Sequence, residues 1–236
     1  MNTILILHGW GWPVSVHQWI RVKELLEKEK FKVIVPDLPG FGENPPPSQP
    51  WTISDYAEWV KDFCEKNEIS QFFLLGHSFG GSVAAKFSVK YPEKVRKLIL
   101  VDSAGIRRKR LKKELLKATA HIINIFSFLP GYNLVRKIAY KTIFRRSDYL
   151  LSVGIMKDTY LNVIKEDISD IFSQIVVPTL LVWGGKDGIT PLQHAYFMRD
   201  KISGAKLEII PDIKHNPHFE APEKLAEIII KFLKNY

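Results

Sequence analysis

The sequence predicts an α/β protein built on a doubly wound, parallel sheet of about six strands. Short runs of β-forming apolar residues alternate with segments of helical periodicity, the pattern of a sheet covered by helices on both faces. The runs are almost continuously apolar, as strands buried on both faces must be. At 236 residues, 46% hydrophobic and 25% charged, the chain is long enough for one sizeable core and has an ordinary globular composition.

In chain order, strands are expected at Thr3 to Leu7, Lys32 to Val35, Gln71 to Leu75, Leu98 to Val101, Pro178 to Trp183 and Lys206 to Ile210. Helices are expected between them, at His17 to Lys30, Ile53 to Asn67, Gly80 to Tyr91, Pro191 to Lys201 and Glu223 to Asn235. The last places Leu225, Ile228, Ile229 and Phe232 on one stripe. The alternation breaks between Ile106 and Glu166, where helical periodicity (Leu111, Leu115, Leu116, Ala118, Ile122, Ile123) runs into Pro130-Gly131. We read 106–166 as a helical cap inserted at the carboxyl end of the sheet, with residues 1–105 and 167–236 forming the core domain.

Charge is concentrated in that insertion. Residues 106–170 carry fourteen Lys and Arg against six Asp and Glu, which accounts for nearly all of the +9 net charge. Such a face attracts an anionic surface or acidic substrate, or simply keeps a helix solvated. No aromatic residues are interleaved in the manner of a nucleic-acid reader, so no nucleic-acid partner is expected. No apolar run reaches the ~20 residues a bilayer span needs. Ile4 to Leu7 lacks a basic leader and reads as a strand, and a single cysteine, Cys64, excludes an intramolecular disulfide. These features point to a cytoplasmic location, with Cys64 serving as packing.

Gly76-His77-Ser78-Phe79-Gly80 directly follows the run Phe72 to Leu75. A serine there sits on a sharp strand-to-helix turn, and glycines at 76 and 80 remove side chains that would collide where strand and helix cross. A serine hydroxyl is a poor nucleophile without a base, and the base needs a third group to hold its tautomer. Active groups on a parallel sheet collect past the carboxyl ends of strands. Asp187 follows the strand ending at Trp183, and His215 follows the one ending at Ile210. Asp102, which ends the strand at Val101, is a rival acid. Phe79, directly after the serine at the start of a helix, offers one backbone N–H to a developing oxyanion. Asp212, His215 and His218 lie close in sequence, but no His-Glu-x-x-His metal motif is present and no metal or cofactor is expected.

With its elbow, the acid loop Gly184-Gly185-Lys186-Asp187 closed by Pro191, and the stretch His215 to Glu223, the chain resembles the α/β-hydrolase family along essentially its whole length. The order Ser, Asp, His agrees as well. The resemblance implies an α/β-hydrolase fold with Ser78, Asp187 and His215 as catalytic triad. It assigns the second oxyanion-hole N–H to Trp10 in His8-Gly9-Trp10, with His8 as a buttress. Trp12 and His77 are candidates for the substrate pocket. Asp37-Leu38-Pro39-Gly40-Phe41-Gly42 is similar to the loop after the family's next strand, but Glu43-Asn44 replaces the usual continuation. The family's first two strands are missing, which puts the strand around Val33 at an edge, covered by a terminus or used in a homodimer.

The implied activity is that of a serine hydrolase of carboxylesterase type, cleaving small, largely apolar esters through an acyl-enzyme. Lactonase, thioesterase and carbon–carbon bond hydrolase chemistry use the same triad. A slow-turnover ligand-binding receptor and an enzyme working at an anionic membrane surface are the other classes.

Overall fold

The computed structural model describes residues 2–11, 16–107 and 154–234. Its six strands are β1 (Thr3–Leu7), β2 (Lys32–Ile34), β3 (Phe72–His77), β4 (Val95–Val101), β5 (Thr179–Gly184) and β6 (Lys206–Ile210). They form one sheet in the order β2-β1-β3-β4-β5-β6, and every neighbouring pair is parallel. The expected parallel sheet of six strands is therefore present, with the strand containing Val33 at one edge.

Alternation of side chains along each strand divides the core into two layers. Leu5, Leu7, Leu74, Leu98, Leu100, Leu181 and Trp183 face one side. There they meet α2 (Ile53–Lys66), α3 (Phe79–Lys90) and α5 (Leu192–Lys201) through residues such as Tyr56, Val60, Val83 and Met198. Ile4, Ile6, Phe73, Leu75, Ile99, Val101, Leu180 and Val182 face the other side. They pack on Val22 and Leu26 of α1 (Ile20–Lys28) and on Leu225, Ile229 and Leu233 of α7 (Pro222–Lys234). A short helix, α6 (Pro217–Glu220), leads into α7. Cys64 is buried in the first layer, and that burial pushes its thiol up to about 12, as a packing residue requires.

Several details differ from expectation; strand β4, for one, starts at Val95, not Leu98. Strand β3 continues through Gly76 to His77, because Gly76 is paired on both sides, with Leu7 and with Leu100. The buried stripe of α7 runs through Leu225, Ala226, Ile229 and Leu233, so Ile228 and Phe232 flank it instead of centring it. Strand β6 buries only Ile210 fully; as the second edge of the sheet it is not enclosed on both faces.

Of the cap expected over 106–166, the described part includes α4 (Ile155–Lys165), and residues 108–153 lie outside the described residues. Helix α4 is tied to the core where Thr159 Oγ1 accepts the Trp51 N–H at 3.1 Å, and Glu166, just beyond it, accepts the Ile53 N–H at 3.1 Å. A capping box between Thr52 and Asp55 starts α2 at this junction, worth about 1 kcal/mol. Among the described residues, no helix is long and apolar enough to cross a membrane.

The strand order sets the place of a site. The chain leaves β1 toward β2 on one side and returns to β3 on the other, so the crossovers reverse between β1 and β3. Loops leaving two such strands diverge and open a crevice at their carboxyl ends. His8 to Trp10 follows β1, and Ser78 follows β3.

Candidate active site

The Ser78 turn is built by close contact. A Cβ on Gly76 would lie 2.3 Å from the Gly80 carbonyl oxygen, and one on Gly80 would lie 2.2 Å from that of Leu7. Helix α3 can therefore start hard against β1 only with glycine at both positions. Ser78 adopts φ 52° and ψ −116°, a strained conformation costing ~1–3 kcal/mol, which the surrounding structure enforces. Its N–H donates to Val101 O at 3.0 Å, and its carbonyl accepts from Gly81, Ser82 and Ala104.

Three expected residues meet here. Ser78 Oγ lies 2.9 Å from His215 Nε2, and His215 Nδ1 lies 2.8 Å from Asp187 Oδ2. Asp187 accepts three further hydrogen bonds from its own loop. The N–H groups of Ile189 (2.7 Å) and Thr190 (3.0 Å) bind Oδ1, and Thr190 Oγ1 donates to Oδ2 at 2.6 Å beside the His215 ring. Burial works against its charge, but the His215 ring, the Thr190 hydroxyl and the Ile189 N–H outweigh it and hold the carboxyl below its usual range. With Asp187 ionised, His215 presents its Nδ1 proton to the carboxylate and leaves Nε2 free to accept from Ser78.

Thr190 was not singled out from the sequence. Its spacing is the signal: a carboxylate three residues before a threonine in a Gly/Pro-bounded turn suits local side-chain bonding. The fully buried Trp183 fixes the same turn by donating from Nε1 to Thr190 O at 2.8 Å.

Asp102, the rival acid, is placed differently. Its Oδ1 accepts the Gly184 N–H at 2.9 Å, and its backbone takes φ 42°. The ring of His215 is held by Asp187 instead.

The remaining histidines support the frame. His8 Nε2 accepts the Leu38 N–H at 3.0 Å, so its proton is on Nδ1 and donates to Gly9 O at 2.8 Å. This links the His8-Gly9-Trp10 loop to the loop after β2. His77, expected to line the pocket, is buried and donates from Nε2 to the His215 carbonyl at 2.8 Å. Its ring meets His218 edge-on at 4.5 Å, and His218 stacks on Trp19 at 4.4 Å. His77 thus holds the His215 loop from behind. Trp12, the other expected pocket residue, lies outside the described residues. In the loop after β2, Asn44 donates from Nδ2 to Asp37 O at 2.8 Å, closing the turn where the sequence departs from the family's pattern.

These buried histidines dictate an acid response. Burial lowers His8, His77 and His218, the last to about 3. An unfolded chain protonates them near 6.5, so the unfolded state binds more protons in the interval below that value. Their contribution is complete above pH 6.5 and is lost as pH falls toward about 3, at up to ~1.4 kcal/mol per histidine per pH unit. The melting temperature should therefore fall below pH 6.5. His218→Phe, which keeps the Trp19 stack without a titrating ring, should flatten the slope of melting temperature against pH between 4 and 6.5. An unchanged slope would show that His218 is not one of the groups responsible.

The surroundings of Ser78 are apolar on one side. The Trp10 ring meets Phe41 at 4.9 Å, Phe79 at 5.2 Å and Tyr160 of α4 at 5.3 Å, and Phe79 meets Tyr56 at 4.9 Å. A Cβ on Gly9 would lie 3.3 Å from Ser78 Cβ, so the His8-Gly9-Trp10 loop runs alongside the serine.

With fold and geometry in place, comparison with known proteins identifies the family: a model described as alpha/beta hydrolase fold matches residues 2–120 and 108–222. The chain belongs to the alpha/beta hydrolase fold family. Among curated relatives of this alpha/beta hydrolase is a putative esterase/lipase 2 from Mycoplasma genitalium, 25% identical over 99% of this chain and 90% of its own length. Lipase 1 from Psychrobacter immobilis is 29% identical over 95% of this chain and 74% of its own. Among solved structures, a thermophilic esterase from Thermogutta terrifontis is 26% identical, with a TM-score of 0.73, over 99% of this chain and 90% of its own.

Proposed function

We propose that this alpha/beta hydrolase is a serine esterase cleaving carboxylic esters of small, largely apolar substrates through an acyl-enzyme. The observation that carries this reading is the continuous chain Ser78 Oγ–His215 Nε2 and His215 Nδ1–Asp187 Oδ2, at 2.9 and 2.8 Å. The esterase and lipase names of its relatives agree with it.

Ser78 Oγ attacks the ester carbonyl carbon as His215 Nε2 takes its proton. Asp187 holds the ring and stabilises the imidazolium without itself taking the proton. The N–H of Phe79, first residue of α3, has no acceptor within its own helix and sits at the positive end of the helix dipole. With the N–H of Trp10 from the adjoining loop it forms the oxyanion hole. His215 then gives its proton to the departing alcohol. Water, activated by the same histidine, hydrolyses the acyl-enzyme and restores Ser78. Trp10, Phe41, Phe79 and Tyr160 supply the apolar wall that favours a small hydrocarbon acyl group.

The test is presteady-state hydrolysis of p-nitrophenyl esters of graded acyl length, alongside matched lactones and thioesters. An esterase gives a p-nitrophenol burst equal to the protein present, with the highest kcat/KM on a short-chain ester. Tight binding without turnover of any of these compounds would overturn the reading.

A further inference from the structure

His77 is a buried histidine beside the site, and the steps above leave it unused. It ends β3 directly before Ser78 and pairs in register with Val101 of β4. Its Nε2 lies 2.8 Å from the carbonyl oxygen of His215. A carbonyl can only accept, so the ring's proton is on Nε2. The other ring nitrogen, Nδ1, faces the His8-Gly9-Trp10 loop: a Cβ on Gly9 would lie 2.8 Å from it and 3.2 Å from Cε1. The ring is backed by His218 at 4.5 Å and Trp19 at 6.2 Å, and the His215 ring is 5.1 Å away. Burial at this position asks only for an apolar side chain, as Leu74 and Leu75 supply earlier on β3. It does not account for one ring that touches both the backbone of His215 and the loop carrying Trp10.

We propose that His77 is a positioning residue for ester hydrolysis: a rigid spacer that sets the distance between the base His215 and the oxyanion-hole N–H of Trp10. The proposal rests on the Ser78–His215–Asp187 reading. The nucleophile is the next residue in the chain, the base is held through its own carbonyl, and the Trp10 loop rests on the ring through Gly9. An imidazole has no rotatable bond between Nε2 and Nδ1, so the two loops keep one separation. Glycine at position 9 permits the contact, because a methyl there would press on the ring and come within 3.3 Å of Ser78 Cβ. The charge state suits the role. Burial, then the neighbouring His218 and His215, hold His77 well below the ordinary histidine value, so it stays neutral. A neutral spacer puts no second positive charge beside His215 when that ring takes the Ser78 proton. The apolar wall of Trp10, Phe41, Phe79 and Tyr160 is built from other side chains, so the effect of His77 falls on the reaction step and not on substrate binding.

The experiment compares wild type and Ser78→Ala with His77→Leu, which has similar bulk and no N–H, and His77→Gln, which keeps an N–H donor on a flexible chain. Active sites are counted by exhaustive labelling with a fluorophosphonate, and kcat per site and KM are measured on a short p-nitrophenyl ester. A misplacement of about 1 Å costs about 10²-fold, so His77→Leu should lose about that much in kcat per site, with KM within about threefold of wild type. His77→Gln restores the donor without the rigid ring and should lose only about tenfold. A side chain that served the fold alone would change the number of active sites and the melting temperature but not kcat per site. That result in His77→Leu would overturn the proposal. If His77→Leu does not fold, His77→Gln decides: a loss of kcat per site at unchanged KM supports the spacer, and wild-type kcat per site sinks it. Ser78→Ala separates the two levels. If it still turns over ester, the serine-esterase reading fails and the role of His77 with it. If it is inactive, the other variants judge His77 alone.

Discussion

Ser78→Ala is expected to lower kcat for ester hydrolysis by about 10⁶-fold, the loss seen when a triad nucleophile is deleted from an otherwise intact site. The residual rate should be that of water attacking a carbonyl polarised by the Phe79 and Trp10 N–H groups, and the burst should vanish. The fold should survive, because the contacts holding the turn run through the Ser78 backbone, which alanine retains. Alanine also retains the strain of φ 52°. Ser78→Gly removes both the hydroxyl and the strain, so it should be equally inactive but more stable by ~1 kcal/mol. Activity and thermal melting on the two variants check this pair. A Ser78→Ala protein retaining even one per cent of wild-type turnover would exclude the serine as nucleophile.

Gly80→Ala is expected to damage stability and activity together. The added methyl would meet the Leu7 and His8 carbonyl oxygens at 2.2 and 2.4 Å. Both are backbone atoms, so no side-chain rotation can relieve the clash; α3 must back away from β1. Overpacking of this kind typically costs 1–3 kcal/mol, and rigid backbone on both sides argues for about 3. The displaced elements carry Phe79 and Trp10, the two N–H donors of the proposed oxyanion hole. Separating them should lower kcat by about 10²-fold to 10³-fold in the fraction that remains folded. Chemical denaturation and kcat on the folded fraction test both parts. A fully stable, fully active Gly80→Ala protein would contradict the strand–helix contact described.

Much of this molecule is legible from its residues in order. Continuous apolar runs such as Leu98 to Val101 and Pro178 to Trp183 announce strands covered on both sides, and the sheet has them at its centre. Ser78, Asp187 and His215 stand out because each follows a strand, in a stretch punctuated by glycine or proline. Local rules carry less at the edges. Strand β6 carries Leu207, Ile209 and Ile210 beside the charged Lys206 and Glu208; it lies at the sheet's border and leaves Ile209 37% exposed. The stripe on α7 is centred on Leu225, Ala226, Ile229 and Leu233, with Ile228 and Phe232 only partly buried beside it.

The chain by itself determined the order of elements, the doubly wound parallel sheet and the polar residues, Asp102 and Asp187 among them, that follow strand ends. Those properties follow from side-chain periodicity and from the few residues that can make a sharp turn, and both are local. Only the tertiary structure decided which acid faces His215. Asp102 and Asp187 both follow strands, and they are separated by one strand spacing and a hydrogen-bond pattern. Thr190, Ile189 and the His215 ring converge on the Asp187 carboxylate, while the Asp102 carboxyl accepts the Gly184 N–H. The Trp19–His218 stack and the His77 bond to the His215 loop are decided the same way. A carboxylate's charge state depends on every donor within a few ångströms, and folding brings those donors from segments far apart in the chain.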